Sequence, residues 1–255
     1  MTLDRQYNWN LPFTLKTVED CLQYIKDHYA EHQEESAMRI ADFNTFRGTI
    51  APFIIGDGAS NYSEFEQDGT LEFNGTATVF DDVFIPFDSA KVPAVNNPTW
   101  ASFVGNLNAY TFNTDDYLEV TGEIPHGYKA GSDLEFHIHW ATNGLEGTAR
   151  AVKWEIEYSI ADVDILDGIG DAFPVPTVES LDIVIPLNTP DISHMYSAIT
   201  TDTAGTYAFG ALVKARVRRK ANTHANNEPA ADPFGLQLGI HYEMDTVGSR
   251  TISTK

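Results

Sequence analysis

From about residue 45 onward, apolar and polar residues alternate in short runs, which is the pattern of strands with one buried face. The clearest run places four apolar side chains on one face: Leu134, Phe136, Ile138 and Trp140. Similar alternation occurs in residues 71–79, 117–124, 152–158, 181–185, 212–220 and 234–244. Turn-forming residues separate the runs, so we expect roughly eight to ten strands without long helices between them. This pattern predicts an all-β fold, an antiparallel β-sandwich of jelly-roll type.

The first part of the chain has a different pattern. Residues 1–42 contain no glycine and one proline, and Val18, Leu22 and Ile25 recur at helical spacing. We therefore predict an N-terminal helical segment over residues 1–60 and a sandwich domain over residues 61–255. The apolar stripe of this helix is narrow, so it needs a packing partner. It packs either on its own domain or, as a docking arm, on a neighbouring subunit, which makes Val18, Leu22 and Ile25 candidate interface residues.

Length and charge narrow the possible functions. The 255 residues can form one sizeable core, and 16 basic against 37 acidic side chains give a formal net charge of −21. Such a charge argues against binding to nucleic acid or to an anionic membrane. We find no apolar run long enough to cross a bilayer and no secretory signal at the N-terminus. The single cysteine, Cys21, excludes an intramolecular disulfide.

Two histidines form the most suggestive chemical motif. The spacing Gly131-x5-His137-x-His139 matches the opening of the cupin metal motif. Residues i and i+2 of a strand share a face, so both imidazoles can point at one ion. Cupins then require a glutamate three or four residues later, but Thr142 and Asn143 occupy that window and Gly144 follows. The motif is therefore incomplete.

Other residues could complete a metal site. His241 also faces away from its apolar neighbours, and Glu155 and Glu157 occupy the equivalent face of another strand. The alternative interpretation is that His137, His139 and His241 are partly exposed polar residues that pair across strands. The sequence favours this second interpretation, so we predict no metal and no cofactor. A cupin-like metalloenzyme is the less favoured alternative.

No arrangement for nucleophilic catalysis is apparent. The chain lacks a Gly-x-Ser-x-Gly elbow and a phosphate-binding glycine loop. Its many acidic residues make any pair of carboxylates uninformative. We therefore predict no catalytic residues and a protein that is not an enzyme.

A basic strip stands out on this acidic chain. Lys214, Arg216 and Arg218 belong to five basic residues within seven positions. These side chains either contact an acidic neighbour, such as a second copy of the chain, or form a solvated strand face at a charged sheet edge. Lys214, Arg216 and Arg218 are thus candidate interface residues.

Four segments together resemble a family of tailed-bacteriophage and prophage virion proteins. The segments are 68–82, 124–140, 152–158 and 240–250. The most specific element is Pro125-His126-x-Tyr128, followed by His137-x-His139-Trp140. The resemblance covers about residues 65–255 and leaves the N-terminal segment uncovered.

The resemblance implies a structural part of a phage particle, assembled in the host cytoplasm and located in the virion. A capsid decoration or cement protein is the first expectation, with a homotrimer and the major capsid protein as partners. The alternative is a tail or collar fibre protein that binds host glycan, for which Trp100 and Tyr110 are the candidate aromatic platforms. The resemblance carries no catalytic residue.

Overall fold

The computed structural model describes residues 53–57, 59–66, 69–163, 169–203 and 205–249, together with Gln23 and Lys26. The chain divides into two compact units, residues 1–52 and 53–255. In the first unit Gln23 and Lys26 are helical, and the predicted interface residues Val18, Leu22 and Ile25 lie outside the described residues. Residues 53–60, which the sequence pattern assigned to the N-terminal segment, fall in the second unit.

Thirteen strands are present in the described part of the second unit. In chain order they are β1 (Phe53–Gly56), β2 (Tyr62–Phe65), β3 (Leu71–Asn74), β4 (Val79–Pro86), β5 (Thr99–Val104), β6 (Leu107–Thr111), β7 (Tyr117–Glu123), β8 (Leu134–Ala141), β9 (Arg150–Ala161), β10 (Thr177–Ile185), β11 (His194–Asp202), β12 (Leu212–Lys220) and β13 (Phe234–Met244). Two short 3-10 turns, Gly75–Ala77 and Phe87–Ser89, precede and follow β4. Among the described residues we find no helix with the length and apolar character needed to span a bilayer.

Eight strands form the two sheets of a sandwich. One sheet has the order β11-β8-β13-β4 and the other the order β10-β9-β12-β7, with antiparallel pairing throughout. This strand order is that of a jelly roll, which confirms the predicted fold class. The β5–β6 hairpin extends the first sheet beside the start of β13, and β1–β3 form a separate antiparallel sheet.

The core fills the space between the two sheets. Phe136 of β8 stacks on Tyr158 of β9 at a centroid distance of 4.4 Å, and Trp140 packs edge-on against Trp154 at 6.2 Å. These aromatic side chains are buried, as the alternation predicts. Burying a large apolar side chain stabilises a fold by about 1.5–3 kcal/mol, so this face of the strands dominates the stability.

The described part of the chain has thirteen strands, where the alternation predicts eight to ten, and two further predicted features differ. The predicted strand 71–79 is divided between β3 and β4, because Gly75 has a positive φ of 60° and begins a 3-10 turn. A Cβ at this position would lie 1.9 Å from the carbonyl oxygen of Ser60, so glycine alone fits. The basic strip is not at a sheet edge, since β12 lies between β9 and β7.

Arg219 is a buried charge at the end of β12. It has the inward phase of Val217, and its side chain is only 3% exposed. Its guanidinium donates to the Phe112 carbonyl at 2.7 Å and to Asp232 at 2.6 Å, and it also donates to Glu228 at 2.9 Å. Arg219 therefore links the loop at Phe112 and the segment 228–232 to the end of β12.

We expect the substitution Arg219→Met to lower the free energy of unfolding by about 3 kcal/mol, because it leaves a buried carbonyl and two carboxylates without their donor. Urea unfolding followed by tryptophan fluorescence measures this loss. The control is Lys220→Met, which removes a neighbouring ion pair with Asp115 at a more exposed position and is expected to cost less than about 1 kcal/mol. Equal losses in the two variants would contradict the role given to Arg219.

Candidate functional site

The candidate site lies on the outer face of the first sheet. Strand β13 runs between β4 and β8, and its register places Asp82 opposite His241 and His137 opposite Gly239. Tyr242, next along β13, is buried in the core. Because neighbouring residues of a strand face opposite sides, His241 and its cross-strand partners point away from the core.

Seven side chains on this face form what we call the histidine cluster. They are Asp82, Glu135, His137, His139, His194, Tyr196 and His241. The ring of His137 is central, with centroid distances of 4.2 Å to His241, 4.9 Å to Tyr196 and 5.1 Å to His139. His137 thus has an imidazole or phenol ring on several sides.

His137 is fully buried although it lies on the outer face. Its exposed fraction is 0%, and among the described residues nothing forms a hydrogen bond with either of its ring nitrogens. The ring lies over Gly239, where a Cβ would be 2.0 Å from Nε2 of His137. Glycine at position 239 therefore makes the room that this ring occupies.

The other members of the cluster are paired. Nδ1 of His241 contacts the Asp82 carboxylate, and its Nε2 lies 3.2 Å from the Tyr196 hydroxyl oxygen. Tyr196 in turn donates a hydrogen bond to Glu135 at 2.8 Å. These contacts fix His241 between a carboxylate on one side and a phenol on the other.

A second pair of imidazoles lies beside this group. Nδ1 of His139 is 2.8 Å from Nε2 of His194, and the two rings stack at a centroid distance of 5.0 Å. The pair belongs to β8 and β11, on the side of the sheet away from Asp82.

Burial keeps two of the imidazoles uncharged at neutral pH. Desolvation, followed by the neighbouring His241, lowers the pKa of His137 to about 4. Desolvation and the neighbouring His194 lower the pKa of His139 as well. Burial and the hydrogen bond to Glu135 raise the pKa of Tyr196 to about 12. A neutral imidazole has a free nitrogen lone pair, so the cluster offers electron-pair donors at neutral pH.

The donor atoms of Asp82, His137 and His241 come within 4.8 Å of one another. These three residues therefore could hold a metal ion. Of the three residues, His241 borders a cavity of about 490 Å³ that Phe80, Asp133, Glu135 and Thr201 also line. A water molecule or a small ligand can reach the cluster through this cavity.

The structure brings the three predicted histidines together but not the two predicted glutamates. His137, His139 and His241 share one face, as their alternation indicates. Glu155 and Glu157 lie in β9, in the other sheet of the sandwich. Because β9 belongs to the other sheet, neither glutamate can reach the histidines. Glu155 instead pairs with Arg218, and Glu157 pairs with Arg216.

Sequence reasoning missed Asp82, His194 and Tyr196. The predicted strand ended at residue 79, so Asp82 had no assigned face. No predicted strand covered β11, which carries His194 and Tyr196. Apolar residues occur on both faces of residues 79–85, so alternation gives no signal there, and only the β-forming residues Val79, Val83 and Ile85 would have extended the strand.

The basic strip is neutralised within its own sheet. Arg216 donates to Glu157 at 3.0 Å and to Glu119 at 3.1 Å, with its guanidinium 4.5 Å from the centre of the Tyr117 ring. Lys214 is 3.9 Å from Glu119. The strip is thus a cross-strand network of charges, and its role as an interface stays a prediction.

The segments that carry the phage resemblance pack against one another. Lys129 donates from its backbone to the Glu243 carbonyl at 2.7 Å and from Nζ to the Glu243 carboxylate at 3.0 Å. Buried Tyr128 forms an isolated β-bridge with Met244. Gly127 lies so close to Met244 that a Cβ there would be 2.9 Å from its methyl carbon.

The third segment joins at the same place. Phe73 donates from its backbone to the Asp245 carbonyl at 2.7 Å, and Glu72 bridges Thr246. Trp140, at the end of the motif, is buried and donates to the Ser197 hydroxyl at 3.0 Å. Most residues of the motif therefore have a packing role, whereas His137 has no hydrogen-bonding partner in the described part of the chain.

A comparison with protein-family models finds no match, and no curated protein sequence matches the chain. The phage resemblance therefore rests on the motif alone and stays a prediction.

We expect the metal-free protein to lose stability as the pH falls from about 6.5 to about 4, in part because His137 must gain a proton. Its folded pKa of about 4 is below its ordinary value of 6.5, so the unfolded chain binds the proton first. The contribution of neutral His137 to the free energy of unfolding is fully present above pH 6.5. It amounts to at most about 3 kcal/mol, at 1.36 kcal/mol per pKa unit. Urea unfolding at pH 7.5 and pH 4.5 measures it.

The substitution His137→Phe keeps a planar ring and removes the titrating group, so its loss of stability between the two pH values should be smaller. His224→Phe, at an exposed position, should keep the loss of the unsubstituted protein. An undiminished loss in His137→Phe would show that protonation occurs elsewhere.

Proposed function

We propose that the chain is a structural component of a bacteriophage virion, a capsid decoration protein that stabilises the assembled shell. One observation carries the proposal: the segments that resemble virion proteins are far apart in sequence but pack into one structural unit. In that unit Tyr128, Lys129 and Gly127 hold the end of β13 by backbone pairing and close contact. A motif whose residues serve packing supports a protein that acts as a building block.

The jelly roll supports the same role physically. A sandwich with one buried aromatic core is a stiff unit, and stiff units lose little conformational entropy when they assemble. The net charge of −21 keeps separate copies soluble before docking. Many identical contacts on a symmetric shell give avidity to individually weak interfaces.

Selective binding explains how such a protein stabilises a shell. A protein that binds the assembled lattice and not its free subunits shifts the equilibrium toward the lattice, by linkage. The N-terminal segment is the proposed docking element, and the proposed partners are further copies of the chain in a homotrimer and the major capsid protein. The proposed location is the virion, after assembly in the host cytoplasm.

A tail or collar protein that binds glycan is the second candidate, and one observation favours it. Trp100 is 48% exposed, packs edge-on against Tyr110 at 4.7 Å, and borders a cavity of about 120 Å³ that Asp88 and Asn108 also line. An exposed aromatic ring beside polar groups is the arrangement that stacks on a sugar ring while hydrogen bonds fix its hydroxyls.

The decoration role predicts a weaker shell when the protein is missing. Particles of the phage that encodes the chain are compared with particles from a mutant that lacks its coding region, and a DNA-binding dye reports the temperature of genome release. We expect release at a lower temperature from the mutant particles and recovery when the full chain is added. A chain without residues 1–52, shown to be folded by circular dichroism, should not restore it.

Immunogold labelling of the same particles separates the two candidates. Label over the whole shell supports decoration, whereas label at the tail supports the glycan-binding candidate. Particles that contain none of the protein would contradict both.

The proposed homotrimer predicts a molecular mass of three times 28.3 kDa in solution, measured by light scattering. If the basic strip forms the trimer contact, the double substitution Arg216→Glu and Arg218→Glu reduces the mass to that of one chain. The control is Arg150→Glu, which is outside the strip and pairs with Glu146 in its own chain. An unchanged mass in the double variant would remove the strip from the interface.

A further inference from the structure

We propose that Asp82, His137 and His241 form a binding site for one divalent transition-metal ion, with Zn²⁺ as the ion that best fits the donors. The site lies on the outer face of β4, β13 and β8 and does not depend on the proposed virion role.

The three donors are brought together by strand pairing. Asp82 and His241 are direct partners across β4 and β13, and His137 comes from β8 on the other side of β13. Their donor atoms lie within 4.8 Å of one another. Donors around a tetrahedral Zn²⁺ at about 2.0–2.2 Å are roughly 3.3 Å apart, so small side-chain rotations suffice to close the site.

His137 supplies an independent reason to expect a ligand. A buried polar group without a hydrogen bond destabilises the folded state, and His137 has two such nitrogens within the described structure. A polar-face histidine that only pairs across strands would have a partner for at least one of them. A bound ion at one nitrogen removes the cost of leaving that nitrogen unpaired.

The absence of a side chain at position 239 provides the space for the His137 ring. Position 239 has no side chain, and any Cβ there would occupy the volume of the His137 imidazole. Glycine weakens a strand interior, so its presence in the middle of β13 indicates a specific need for close approach. The ring that approaches is the one whose nitrogens are unpaired.

His241 has the surroundings of a metal ligand. Nδ1 faces the Asp82 carboxylate, while Nε2 faces the Tyr196 hydroxyl at 3.2 Å and the Glu135 carboxylate at 3.8 Å. Ligating histidines usually donate their second N–H to a carboxylate or a hydroxyl, which fixes the ring and the tautomer. An ion on the Nδ1 side would therefore meet Asp82 and an oriented imidazole.

The donor set selects the class of ion. Two imidazoles and one carboxylate suit zinc and its neighbours in the first transition series, whereas Mg²⁺ and Ca²⁺ prefer oxygen donors only. The side chains of His241 and Asp82 are 33% and 23% exposed, so an ion can enter from solvent. The open side leaves a coordination position for water or for a partner's side chain.

Zinc titration of the untagged full chain, stripped with EDTA and dialysed free of it, tests the proposal. Isothermal titration calorimetry should give one ion per chain. The midpoint temperature of thermal unfolding, Tm, should rise by about 5–10 °C when the free zinc concentration is a hundredfold above Kd, because the ion binds only the folded state. Mg²⁺ at the same concentration should give no rise.

Asp82→Asn and His241→Gln, at partly exposed positions, should weaken zinc binding by more than about 100-fold, since loss of an outer partner alone costs 10–100-fold. His137→Gln should do the same where it folds. The matched control is His194→Gln, which removes an imidazole beside the site but outside the triad and should leave Kd unchanged within about threefold.

Three outcomes would overturn the proposal. The first is no zinc binding to the stripped chain at an ion concentration of about 1 mM, where a site of even millimolar affinity is half occupied. The second is unchanged binding in both Asp82→Asn and His241→Gln. The third is loss of binding in His194→Gln alone, which assigns the ion to the His139–His194 pair.

Discussion

The sandwich depends on the burial of one side-chain face of its central strands. In β8 this face presents Phe136, Ile138 and Trp140 to the opposite sheet, where Tyr158 and Trp154 receive the aromatic rings. Because successive side chains of a strand point to opposite faces, the residues between these three must point away from the core. The same constraint that builds the core therefore places His137 and His139 together on the outer face.

The histidine cluster contains a residue, His137, whose two polar atoms are both buried without a hydrogen bond in the described structure. Among other buried polar side chains, Arg219 donates to a carbonyl and two carboxylates and Trp140 donates to the Ser197 hydroxyl. Nε1 of Trp154, by contrast, is buried without a hydrogen bond in the described structure. His137 lies at the centre of a polar cluster, fully buried, and without such a bond in the described structure. Stability alone would favour an apolar residue here, and departures of this kind are typical of functional sites.

The outer faces of the two sheets carry different kinds of charged and polar side chains. The outer face of the second sheet carries a network in which Arg216 joins Glu119 and Glu157. The outer face of the first sheet carries imidazoles and carboxylates with few fixed positive charges, beside the exposed ring of Phe80. A face of this kind suits a cation, because imidazole nitrogens and carboxylate oxygens offer electron pairs and few like charges oppose it.

The sequence by itself determined the all-β class, the positions of β7, β8, β9, β12 and β13 and the faces of their side chains, because alternation is a local property. It placed His137, His139 and His241 on polar faces for this reason. Only the tertiary structure decided which strands are neighbours: it brought Asp82 beside His241, placed Glu155 and Glu157 in the other sheet, and made β12 an interior strand. Strand order depends on pairing between distant segments, and the period of a strand carries no information about its partners.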